Sequence, residues 1–325
     1  MQVHRLLAAA LAGAAVLPAA AHAQGPPPPT AVNGATVETV AQGVPIPTAF
    51  AFGAGKVFVG AGGSEDGSKP GGIFTAAGGT AATKLPDSPN FVAGLVYRKG
   101  VLYVSGDQRL LAYSGWDGSK FAKVKTVFKG PKRFPGFGGL AFGHDGRLYA
   151  GVSISNFKYD SRKSPQPYAQ SVVSMKPNGK DLRVVARGLR EPWQMTFVKG
   201  IPQPFVSVLG QDNLKKGPPD YIIRARSGQN YGFPDCNWTK PKACRPFARP
   251  FLFLPAHSSP MGIAAIKRTI YVALFGRQEV DRFSVGGGKP KAFLTGYAAP
   301  VVALGIHGGR VYTGDLTGAI YSVQP

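Results

Sequence analysis

The chain has 325 residues with 38 Lys+Arg against 16 Asp+Glu, a formal net charge of +22, and it carries 44 glycines, 29 prolines and two cysteines. So many glycines and prolines, spread along the chain, exclude a mainly helical protein and point to short strands joined by tight turns. The charge fits an anionic ligand or attachment to an anionic cell-surface polymer, whereas no recognisable nucleic-acid motif accompanies it.

The chain opens "MQVHRLLAAALAGAAVLPAAAHAQG": a short basic start, an Ala/Leu-rich run and a small-residue Ala-His-Ala end. Residues 1–23 therefore read as a secretory signal peptide, too short in its apolar run to span a bilayer. No later apolar run is long enough to cross one, so the mature chain is expected to be secreted, soluble and monomeric. Residues 24–34, with "GPPPPT", read as a proline-stiffened leader outside the core. Residues 35–325 read as one domain.

From residue 47 a pattern of apolar strand, tight turn and second strand recurs six times. It appears as "PTAFAFGAGKVFVGAG", "FVAGLVYRKGVLYVSGD", "FGGLAFGHDGRLYAGVS", "PWQMTFVKGIPQPFVSVLG", "SPMGIAAIKRTIYVALFG" and "PVVALGIHGGRVYTGDL". The matching aromatics are Phe58, Tyr103, Tyr149, Phe205, Tyr271 and Tyr312, at intervals of 45, 46, 56, 66 and 41 residues. Periods of about 40–50 residues made of short strands predict a β-propeller. Third strands follow each hairpin, and fourth strands are visible in the first five repeats. The last repeat lacks its fourth strand, and "TVETVAQG" near the N-terminus supplies it. The expected fold is all-β: a six-bladed β-propeller of four-stranded antiparallel blades, closed by the N-terminal strand.

The third repeat contains an adjacent His144-Asp145, which invites a catalytic reading. Its "HDGR" stands where other repeats have "GAGK" and "HGGR", so it is the turn of a hairpin, and His307 has the same place. A propeller site is expected instead where the loops enter the innermost strands. Those positions include Pro45, Asn90, Arg133 to Pro135, Arg190 to Gln194, and His257 to Pro260. Excess length at 153–170 and 211–250 marks the same neighbourhood. Within the second loop, Cys236 and Cys244 are expected to form a disulfide in an oxidising compartment, and Asn237 opens an Asn-Trp-Thr sequon.

Here "GLREPWQMTF", "GQDNLKKGPPDYIIRARSGQNYGFPDC" and "LPAHSSPMGIA", in that order, resemble the glucose/sorbosone dehydrogenase family of secreted six-bladed propellers. The resemblance is strong over residues 185–280. It implies a quinoprotein that holds pyrroloquinoline quinone (PQQ) and calcium at the channel mouth and oxidises a sugar or aldehyde. It places Arg190, Asn230, Tyr231 and Asp220 against the cofactor, with His257 and Glu191 as replacement catalytic groups. Replacements are needed because Pro135 and Gly139 stand where the family has its histidine base and an arginine, and proline cannot take a proton. Glu191 replaces the family's asparagine and would repel PQQ's carboxylates. Two alternatives remain: a non-catalytic propeller binding a carbohydrate or protein, and a calcium-dependent lactonase using Glu191, Asn90, Asp212 and Asn213.

Overall fold

The computed structural model describes residues 25–64, 66–154, 160 and 162–325. The expected signal segment lies outside them. Six sheets are arranged as six blades, whose innermost strands are Pro47–Gly53, Gly94–Arg98, Leu140–Phe142, Glu191–Val198, Pro260–Ile266 and Val301–His307. Each runs antiparallel to the second strand of its own blade. The last blade is completed by Val37–Gln42, which pairs antiparallel with Ile320–Val323, as the missing fourth strand predicts. Closing the ring this way covers an edge that would otherwise present unpaired backbone groups.

Two further edges are covered in ways the sequence does not announce. Thr80–Ala81 adds in parallel to Val37–Gln42, and Gln229–Asn230 adds in parallel to Arg183–Arg187 of blade 3. Residues 24–34 are not wholly a leader outside the fold. Thr30–Ala31 pairs with Thr295 and Leu294 of blade 5, and Ala31 is buried there. Its backbone finds ladder partners and its methyl an apolar seat, so the proline run ends in a strand.

Alternation along each strand puts apolar side chains into the seams between blades. Phe58 is wholly buried between blades 1 and 2, edge-on to Trp116 with centroids 5.2 Å apart and 5.6 Å from Phe121. Burying such a ring contributes about 1.5–3 kcal/mol. Short polar side chains on the first or second strand of a blade stitch it to the next blade. Thr48 donates to Val92 O at 2.7 Å, Ser105 to Gly138 O at 2.6 Å and Ser207 to Met261 O at 2.6 Å. These bonds fix the rotation between blades and so the positions of the loops above them. Among the described residues no helix is long and apolar enough to cross a membrane.

Candidate functional site

Blade 4 begins at Glu191, and the residue before it, Arg190, is 1 % exposed. A guanidinium so deeply placed must be paired, because an isolated buried charge is prohibitively costly. Its Nε donates to Asp160, from the 153–170 loop, and its Nη1 lies 3.3 Å from Glu191 Oε2 and 3.8 Å from Asp212 Oδ2. Burial works against the arginine's charge, but Glu191, Asp160 and Asp212 more than offset it and raise its pKa. Gln211 extends the network, donating from Nε2 to Asp160 O at 2.7 Å and accepting from Asn237 Nδ2 at 2.8 Å. Both long loops therefore fold onto the same arginine.

The carboxylates around Arg190 differ in their access to solvent. Glu191 is 2 % exposed, and burial pushes its pKa up to about 7, against the pull of Arg190 and with help from Asp212, Asp160 and Asp220. Asp220 is pushed up to about 6 by burial, although two backbone N–H groups stabilise its charge. Those donors are Gly210 N at 2.5 Å and Ser259 N at 2.8 Å, so Asp220 clamps the loop leaving blade 4's second strand to the loop entering blade 5. Asp212 is partly exposed. Its Oδ1 lies 3.9 Å from Nδ1 of His257, a half-exposed ring. Burial raises the Asp212 pKa, while Arg190 and His257 oppose the rise. His257 and Ser259 have φ of 60° and 47°, left-handed conformations that non-glycine residues adopt at a cost, here held by the Asp220 clamp.

Of the residues expected at the site, the structure thus gathers Arg190, Glu191, Asp220 and His257. It does not bring Tyr231 and Asn230 to them as cofactor contacts. Tyr231 is buried, and its hydroxyl donates to Arg224 O at 2.7 Å within its own segment. Asn230 pairs along the edge of blade 3, and its Oδ1 accepts from Gly232 N. Both fix the turn that carries the Cys236–Cys244 disulfide, which is formed. Asp160 and Gln211 belong to the network without having been singled out from sequence, and Asn237 stood out only for its sequon.

Directly beneath, the channel is plugged, and further along it the innermost strands of all six blades line a cavity of about 560 Å³. Trp193 packs with Ile46, Leu209, Met261, Phe275 and Val302, and its Nε1 is buried without a hydrogen-bond partner among the described residues. Gly139, where the family has an arginine, admits no side chain: a Cβ there would lie 2.5 Å from Gln194 Cγ and 3.0 Å from its Cα. Gln194 occupies that space and donates across the channel to Thr48 O at 3.1 Å.

These residues do not fit PQQ and calcium. A cofactor with three carboxylates needs free cations, yet Arg190 is already gripped by three protein carboxylates and closed off from solvent. The carboxylates of Asp160, Glu191 and Asp212 already face its guanidinium. Among the described residues no group of three or more His, Cys, Asp or Glu side chains is arranged to hold a metal ion. Of the residues considered for a lactonase, Glu191 and Asp212 are tied to Arg190, and Asn90 and Asn213 are exposed loop residues.

No protein-family profile and no curated protein matches the chain. Solved structures do share its fold. A PQQ-bound aldose sugar dehydrogenase from Streptomyces coelicolor superposes with TM-score 0.71 at 21% identity, over 92% of this chain and 99% of that one. A Trichoderma reesei enzyme of carbohydrate-active family AA12, solved with calcium, gives 0.72 at 16% identity over 92% and 97%. The soluble aldose sugar dehydrogenase of Escherichia coli, in its apo form, gives 0.71 at 16% identity over 89% and 99%. The fold is that of the soluble sugar dehydrogenases.

Proposed function

We propose that this protein is a secreted propeller that binds a neutral sugar or polyol on the loop face above Arg190, without the quinone chemistry found on the same scaffold. One observation carries the reading: Asp212 and His257 stand partly exposed at the mouth, over a buried network whose own charges are already paired. A carboxylate is a strong acceptor for sugar hydroxyls, and an imidazole beside it can donate or accept. Arg190 holds Asp212 from behind, and Asp220 holds the backbone next to His257, so both groups are presented on a rigid base. A uronate or another acidic sugar would meet the Asp212 carboxylate and be disfavoured.

Sugar oxidation is the second reading, favoured by the shared fold and by the same pair. His257 beside Asp212 is placed to take a proton from a hydroxyl, and the imidazolium formed would be stabilised by the carboxylate. This reading requires a hydride acceptor that Arg190 does not hold.

Calorimetric titration with neutral aldoses and alditols tests the first reading. We expect at least one ligand to bind, with affinity falling about tenfold or more in Asp212→Asn and His257→Ala, the loss of one good polar contact. Absence of binding to the whole panel, or equal affinity in both variants, would remove sugar binding at this mouth.

A further inference from the structure

A cavity of about 580 Å³ lies beside the disulfide loop and the outer strand of blade 4, Leu252–Leu254. Its chemistry is the reverse of the mouth above Arg190. Trp238, Phe247 and Phe253 form its walls, and Lys242, Arg245 and Arg249 stand around them. Trp238 and Phe253 rings lie 5.3 Å apart, and the Arg249 guanidinium sits 5.7 Å from the Phe253 centroid. The walls are held rigidly: Trp238 Nε1 donates to Tyr231 O at 3.3 Å, and Cys236–Cys244 closes the loop that carries Trp238 and Lys242. All three cationic residues are exposed, and among the described residues none of them makes an ion pair.

The lining contains no carboxylate, hydroxyl or amide side chain. A neutral sugar would bring a set of hydroxyls and find few partners for them, which costs affinity. A flat apolar ring would meet three aromatic walls, and anionic groups on its rim would meet two guanidinium forks and an ammonium. The volume falls within the range of about 300–1,000 Å³ typical of small-molecule sites. We propose that this cavity binds an aromatic carboxylate, with the ring between Phe247, Phe253 and Trp238 and the carboxylates on Lys242, Arg245 and Arg249. The excess positive charge of the chain, +22, adds a long-range attraction for such an anion. Its lining shares no residue with the network around Arg190, and the inference does not rest on the sugar-binding reading.

The test is a calorimetric titration with benzene-1,3,5-tricarboxylate, set against citrate, which carries as many carboxylates but no ring. We expect the aromatic compound to bind about tenfold or more tightly than citrate, with at least that loss in the Arg245→Ala/Arg249→Ala double variant. Asp212→Asn should leave its affinity unchanged. Equal binding of the two compounds would show charge attraction alone and overturn the proposal. So would unchanged binding in the double variant. Tighter binding of an oligogalacturonate than of the aromatic compound would overturn it in favour of an acidic polysaccharide.

Discussion

Two aspartate–histidine pairs sit on this propeller, and they teach opposite lessons. His144 and Asp145 are neighbours in sequence. Asp145 accepts from Arg147 N at 3.0 Å and from the Tyr149 hydroxyl at 2.9 Å, while His144 Nε2 lies 3.1 Å from Val198 O. All of these contacts serve the hairpin turn or the blade beside it. Asp212 and His257 lie far apart in sequence, yet their side chains meet at the opposite end of the same inner strand of blade 4. From Glu191 to Val198 that strand spans roughly 23 Å at about 3.3 Å per residue. Adjacency along a chain produced a turn, while convergence of two loops on a buried arginine produced a polar mouth.

The contrast can be broken most forcefully at Arg190. Arg190→Leu leaves Asp160, Glu191 and Asp212 without their cation, and removing one partner of a buried pair typically costs about 3–5 kcal/mol. Urea unfolding should show this loss, and it should grow with pH as the stranded carboxyls are forced to ionise. A variant as stable as the parent would mean that Arg190 does not organise the mouth.

Glu191 provides a smaller and pH-resolved test. Its folded pKa, about 7, lies above the ordinary glutamate value of 4.5, so the folded state holds the proton more tightly than the unfolded chain. Its contribution to stability is therefore fully present below about pH 4.5 and is lost as pH rises through 7, by a few kcal/mol at most. Asp220, raised to about 6, acts with the same sign over a lower window. Glu191→Gln should flatten the decline between pH 5 and 7, and an unchanged profile would remove Glu191 as its source. The smallest effect is expected at the other pair. His144→Ala should shift stability by no more than about 0.5 kcal/mol and leave sugar binding intact. Loss of binding in that variant would restore the adjacent pair as functional.

The propeller was legible because its signals are local and repeated. Each hairpin places aromatic and branched residues at matching positions, and the short last repeat shows that its closing strand comes from elsewhere. The strand Thr30–Ala31 was hidden behind four prolines, which suggested an extended tail. At the site, Arg190, Glu191 and His257 could be found because loops entering the innermost strands must converge. Asp160 could not, since a lone acidic residue in a long loop carries no periodic signal. Tyr231 and Asn230 stood in a motif that suggested contact with a ligand, but the Tyr231 hydroxyl and Asn230 Oδ1 are bonded within their own turn. No pattern in a sequence shows how far a side chain's hydrogen bonds have already been used.

Arg190 is paired with the protein's own carboxylates and so is not free for a polyanionic cofactor. The most direct test is a titration with PQQ in the presence of calcium. It should use the Lys242→Ala/Arg245→Ala/Arg249→Ala variant, in which the aromatic carboxylate cavity cannot contribute. No binding is expected up to high micromolar cofactor. Calcium-dependent binding at low micromolar concentration would contradict it and place the quinone at the mouth.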